Sequence, residues 1–123
     1  MMKTIEFVLD NPGTSEKSFY IPLKDPSRLI NLSVSAGAGQ SGGTVTVEDG
    51  DGQAIMEADL SGIDSAGDTV TGKWKDAASE KEKNAVFDRD NPLLVKVDLE
   101  SDSTVGIQLV VDPFQIGQHE GFD

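Results

Sequence analysis

One histidine, His119, and no cysteine leave this 123-residue chain with little of the equipment from which active sites are usually built. A catalytic triad or an imidazole metal site needs its ring oriented by neighbouring groups, and His119 sits near the end of the chain among Gly117, Gln118, Glu120 and Gly121. Without cysteine there is no thiolate nucleophile, no thiolate metal ligand and no disulfide. Serine nucleophiles then lack a conventional base, and Ser79 and Lys81 stand in no recognisable Ser/Lys motif. Acids are abundant instead, with 22 Asp and Glu against 10 Lys and Arg. That abundance makes a close carboxylate pair inevitable and therefore uninformative about glycoside hydrolysis. One Trp and one Tyr also offer few platforms for stacking sugars. The chain reads as non-enzymatic and without a cofactor.

The acids outline one weak candidate cation site and no firm one. Glu48-Asp49-Gly50-Asp51-Gly52 has the oxygen-rich character of a calcium loop. An EF-hand beginning at Asp49 would place Asp51 at the third position, but it meets Leu60 where the bidentate glutamate belongs and has its glycine too early. A looser site would have to recruit Asp64 or Asp68 from the next loop. Asp-Gly is equally the favoured pair for a tight hairpin turn. The other glycine-rich stretch, Gly37 to Gly43, is followed by neither a P-loop lysine nor a helical pattern, so phosphate cradling is not supported.

A net charge of −12 opposes binding to nucleic acid or to an anionic membrane through the mean field. No Lys or Arg occurs between Arg28 and Lys73, whereas Glu48, Asp49, Asp51, Glu57, Asp59, Asp64 and Asp68 all fall there. After Lys96 only acids remain. Such patches suit a basic surface, a second copy of the chain, or plain solubility. The amino terminus lacks the apolar run of a signal peptide, and no stretch approaches the roughly 20 apolar residues of a membrane helix.

The elements that must hold these groups are strands. Val105, Ile107, Leu109 and Val111 alternate with Thr104, Gly106, Gln108 and Val110, and Leu93, Val95, Val97 and Leu99 alternate with Leu94, Lys96, Asp98 and Glu100. Residues two apart in a strand share a face, so each run buries one row and wets the other. The same pattern predicts strands at Lys3–Leu9, Ser18–Leu23, Leu29–Ala36, Thr44–Glu48, Gln53–Leu60 and Thr69–Lys75. Pro22 marks an edge position or a bulge. Ile30, Leu32, Val34 and Ala36 are expected on one face. Asp10-Asn11-Pro12-Gly13 is a turn, Asp49 to Gly52 closes a hairpin, and Ser101-Asp102-Ser103 joins the two long closing strands. Gly37 to Gly43 reads as a flexible loop or a close backbone approach. Ala77–Asn84 carries the spacing of a capping box at Ser79 and Glu82 and predicts one short helix. Residues 112–123 show no pattern and read as an extended C-terminal arm. The expectation is one all-β domain over residues 1–123, a sandwich of about eight short antiparallel strands with jelly-roll or Greek-key wiring.

A small, acidic, cysteine-free sandwich with a glycine-rich loop at Gly37–Gly43, closing strands at Val95–Leu99 and Val105–Val111, and unpatterned ends resembles the accessory head proteins of tailed bacteriophages. The resemblance is one of general type and rests on no diagnostic motif. It implies a virion structural protein, made in the host cytoplasm, that decorates the exterior of an icosahedral capsid and cements its major capsid protein. It also implies a homo-oligomer, often a trimer at local three-fold positions. Met1, Lys3, Ile5 and Phe7, with Phe114, Ile116 and Phe122, would then be the partner-contact candidates. The alternative is a calcium-assisted carbohydrate or ligand-binding module, in which Asp49, Asp51 and Asp64 converge on one cation and Trp74 is exposed for stacking.

Overall fold

The computed structural model describes residues 2–75 and 85–113. Nine strands form in chain order: β1 (Lys3–Leu9), β2 (Lys17–Ile21), β3 (Ser27–Ala36), β4 (Gly43–Glu48), β5 (Ala54–Asp59), β6 (Thr69–Thr71), β7 (Lys73–Trp74), β8 (Leu93–Leu99) and β9 (Val105–Pro113). A 3₁₀ turn, Leu60–Gly62, the one helical element among the described residues, follows β5, and the Asp59 side chain caps it by accepting from the Ser61 amide.

The strands make two antiparallel sheets, β1-β9-β3-β6 (sheet A) and β2-β8-β4-β5-β7 (sheet B). Among successive strands only β4 and β5, and β7 and β8, belong to one sheet; every other successive pair is split between the two, and between β7 and β8 Phe87 bridges to Ser27 of β3 in sheet A. Four strands in the order β1, β9, β3, β6 facing four in the order β2, β8, β4, β5 is the wiring of a jelly roll, with β7 added at one edge. The inward rows interdigitate as a dry core. Leu32 and Leu109 from sheet A belong to one buried cluster with Val45, Val47, Val95 and Met56 from sheet B, all at most 2% exposed.

Several expectations need correction. The two closing strands do not pair. β8 joins β2 and β4 in sheet B, while β9 crosses to the centre of sheet A between β1 and β3. Ile30 does not continue the inward row of β3. The register slips between Leu29 and Asn31, so Ile30 is the extra residue of a β-bulge, and Leu29 and Leu32 are the buried members on either side. The expected strand Thr69–Lys75 is two strands in different sheets. The chain leaves sheet A at Gly72, whose amide donates to the Leu32 carbonyl (2.7 Å), and enters sheet B at Lys73. Asp112 and Pro113, expected in an arm, end β9 opposite Arg28 and Ser27. Pro22 falls just beyond β2, which is an edge strand. The Ala77–Asn84 helix and the arm beyond Pro113 lie outside the described residues.

The Gly37–Gly43 stretch is tied down. Gln40 is 3% exposed. Its Oε1 accepts from the amides of Glu100 (3.1 Å) and Ser101 (3.0 Å), and its Nε2 donates to the Ser101 carbonyl (2.9 Å). Its own amide donates to the Ile63 carbonyl (2.8 Å). A Cβ on neighbouring Gly39 would lie 2.6 Å from the Asp64 carbonyl oxygen, so this is the close backbone approach that only glycine permits.

Candidate docking surface

The register sorts the outward side chains of each sheet into rows, and the two faces differ in kind. On sheet B, Ser18, Lys96, Thr46, Glu57 and Lys73 stand side by side, flanked by Tyr20, Leu94 and Glu48 on one side and Asp98, Thr44 and Asp59 on the other. Charges there pair closely. Lys96 Nζ lies 3.1 Å from Glu48 Oε2, and Lys75 Nζ lies 3.4 Å from Glu57 Oε1, which shares its carboxylate with the Thr46 hydroxyl (3.2 Å). The hydrogen bond and charge of Glu48 raise the Lys96 ammonium above its ordinary value. Asp59 is held below its ordinary value, first by the backbone hydrogen bond from Ser61, then by the Ser61 side chain, and with a smaller contribution from Lys73.

Sheet A presents four rows of another composition: Asp112 and Arg28 at one end, then Thr4, Val110 and Asn31; Glu6, Gln108, Ser33 and Thr71; Val8, Gly106, Ser35 and Thr69. The end row carries an ion pair, Arg28 Nη2 to Asp112 Oδ2 at 3.1 Å, and in the other three rows Glu6 is the one charge, with Gln108 Nε2 donating to its Oε1 at 2.7 Å. Where Gly106 has no side chain the face carries a shallow depression of about 240 Å³ bounded by Val8, Ser35, Thr69 and Gln108. In a chain of net charge −12 this face is set apart, away from the Arg28–Asp112 end, by its short and hydroxyl-rich side chains with Glu6 as their one charge. Depletion of charge is the compositional mark of the centre of protein–protein interfaces.

The residues singled out from sequence fall in three places. Lys3, Ile5 and Phe7 lie on the core-facing row of β1, at the edge of sheet A. Ile5 and Phe7 pack against the core, Phe7 meets the Phe19 ring with centroids 6.4 Å apart, and Lys3 bonds Asp25 at 3.1 Å. The side chains that β1 offers outward are Thr4, Glu6 and Val8, and Val8 is 67% exposed, beside Met2 at 59%. Sequence reasoning missed Val8 and Met2, although an apolar residue in the outward phase of Thr4, Glu6 and Val8 was the available signal. Met1, Phe114, Ile116, Phe122 and His119 lie outside the described residues.

Asp49 and Asp51 share the β4–β5 turn, but Asp64 does not join them. Asp49 follows Glu48, which pairs with Ala54 and Leu94, whereas Asp64 lies beyond the other end of β5, against Gly39. Each loop uses an acid as a backbone cap. Asp49 Oδ1 accepts from the amides of Asp51 and Gln53 (both 2.9 Å), and Asp68 Oδ2 accepts from those of Asp64 and Ser65 (both 3.1 Å). Among the described residues no three His or acidic side chains are grouped to hold a metal ion.

Trp74 stands opposite Met56 on the core-facing row of β7 and is half-buried against the core. A groove of about 570 Å³ runs past it, lined also by Glu57, Asp59, Val70, Lys73 and Lys75. No described helix is long and apolar enough to cross a membrane.

No family model, curated protein or solved structure matches the chain. The physical contrast between its surfaces is therefore the ground on which function is argued.

Proposed function

We propose that this chain is a non-enzymatic virion structural protein, a homo-oligomer that decorates an icosahedral bacteriophage capsid and docks on the major capsid protein through the outer face of sheet A. The carrying observation is the contrast of the two faces. Sheet B carries charge pairs across its middle, Lys96 with Glu48 and Lys75 with Glu57, whereas the middle of sheet A carries short hydroxyl and amide side chains with one hydrogen-bonded carboxylate, its ion pair Arg28–Asp112 standing at one end. A face of that kind loses little desolvation energy on being covered, because few full charges have to be stripped of water. Outward side chains held on a hydrogen-bonded sheet need little ordering of backbone on binding. Weak contacts repeated over a lattice add to firm retention, and binding only the assembled shell stabilises that shell by mass action. Nothing in such a mechanism asks for a catalytic residue.

The test is quantitative mass spectrometry of density-purified particles from the native source, joined to sedimentation of the purified protein with assembled shells. The reading expects a fixed ratio to the major capsid protein and co-sedimentation with shells but not with unassembled subunits. Absence from particles, or equal binding to unassembled subunits, overturns it.

A second reading, a ligand-binding module, is favoured by one feature, the groove beside Trp74 with Lys73 and Lys75 on one side and Glu57 and Asp59 on the other. It would have to work with a half-buried indole and without Asp49, Asp51 and Asp64 converging. A saccharide that quenches Trp74 fluorescence saturably would support it.

A further inference from the structure

Four strands end the two sheets, and three of them are blunted. β6 is three residues long, β7 is two, and β2 is five with Lys17 at its start and Pro22 just after it. Short strands, lysine and proline are the ordinary means by which sheet edges are protected from pairing with other chains. β1 has only a lysine at its start, Lys3. It runs seven residues without proline, in unbroken register with β9 from Lys3↔Val111 to Leu9↔Val105, and no described strand pairs with its other edge. Its single lysine is drawn to Asp25.

We propose that the open edge of β1 pairs antiparallel with β1 of a second copy, about a two-fold axis at Ile5, joining two sheet A layers into one eight-stranded sheet. The occupant and the register both follow from the side chains. Inward residues must meet inward residues, so only alternate registers are open. With the axis at Glu6, two carboxylates would stand directly opposite one another, which is unfavourable. With the axis at Ile5, Glu6 faces Thr4 of the second copy, Ile5 faces Ile5, and Met2 faces Val8. That last pair brings together the two exposed apolar side chains of this edge, at 59% and 67% exposure. An interface about a two-fold uses the same patch on both copies, and this strand is self-complementary in that sense. The pairing is independent of the decoration reading, since it is measured on the protein alone. It also sets a dimer where the phage resemblance implies a trimer.

Sedimentation equilibrium of the whole chain tests the pairing. The parent protein is expected to associate as a dimer. Val8→Lys and Met2→Glu each raise its dissociation constant about ten-fold, because the two-fold repeats every lost pair, and the double variant regains dimer through a Lys–Glu pair across the axis. Register is read by oxidative cross-linking with cysteines at exposed positions. A mixture of Thr4→Cys and Glu6→Cys chains should cross-link, since directly opposed Cα atoms lie about 4.5–5.5 Å apart, within disulfide span. Either chain alone should cross-link poorly, its two cysteines being diagonal neighbours at roughly 7–8 Å. Val8→Cys, at a position 67% exposed, should not cross-link to itself, because two Val8 positions would stand about 20 Å apart along the strands. A monomer or trimer in place of the dimer overturns the proposal. So does a Val8→Lys chain that dimerises like the parent, or a Val8→Cys chain that cross-links as fast as the mixture.

Discussion

Replacing Gln40 by alanine should be among the most damaging changes outside the hydrophobic core. The side chain closes the β3–β4 connection onto the β8–β9 connection with three bonds of good length: Nε2 to the Ser101 carbonyl at 2.9 Å, and Oε1 from the Ser101 and Glu100 amides at 3.0 and 3.1 Å. Each is worth about 1 kcal/mol net, and groups left unpaired in a partly buried place cost at least as much again unless water reaches them. Counting the bonds alone gives roughly 3 kcal/mol for Gln40→Ala, and at about 4 °C per kcal/mol for a domain of this length the melting temperature should fall by about 12 °C. Differential scanning calorimetry and urea denaturation measure the loss, which should appear as a lower midpoint with an unchanged m value. Gln40→Met separates bonds from packing, because it fills similar space and makes none of the three contacts. It should lose nearly as much as the alanine variant. A Gln40→Ala midpoint within about 0.5 kcal/mol of the parent, or a Gln40→Met protein as stable as the parent, would refute the account.

Gly39→Ala should destabilise the same connection by about 1–3 kcal/mol, because the new methyl lies 2.6 Å from the Asp64 carbonyl oxygen and the backbone must shift; urea midpoints check this. Thr69→Lys, on the outer face of sheet A, should abolish co-sedimentation with shells, whereas Thr44→Lys on sheet B should leave it intact, with both proteins melting close to the parent. The two shifted groups act at opposite ends of the pH scale. Asp59 titrates below its ordinary 3.8 in the folded chain, so its contribution is present above that value and fades as pH falls through the lower folded value. Asp59→Asn should flatten the acid limb of the stability profile. Lys96 titrates above its ordinary 10.5, so its contribution is complete below that value and is lost as pH rises through the higher folded value; Lys96→Met should flatten the alkaline limb.

Strand positions were legible because alternation needs only a half-buried ladder, and seven-residue runs such as Lys3–Leu9 and Leu93–Leu99 repeat it without a break. Partner choice was not legible, since the pattern that buries Val95 and Val97 is satisfied in either sheet. The β8–β9 connection looked like a hairpin turn, yet it spans the sandwich. The slip at Ile30 was hidden because isoleucine is as apolar as the residues it displaces from the inward row. Gln40 gave no signal, being one polar residue in a run of glycine, alanine and serine. The face proposed for docking was half visible. Gly106, Gln108 and Val110 could be read as one outward row and Asn31, Ser33 and Ser35 as another, but only the crossing of β9 into sheet A lays those rows side by side.

The central place of β9 in sheet A sets an order on folding. β9 is the last described strand in the chain, and it alone joins β1 to β3, two strands with no mutual hydrogen bonds. Sheet B can begin from the β4–β5 hairpin, a local contact that forms at small entropic cost. Sheet A cannot close until its final strand has been made and has threaded between partners from the first third of the chain. Contacts of such long sequence separation fold slowly, in milliseconds to seconds for sandwiches of this kind. During that interval β1 holds Ile5, Phe7 and Leu9 with neither a strand partner nor a core to cover them. β1 is therefore made well before the strand that satisfies it, and at high expression levels the yield should depend on chaperones that shield that segment.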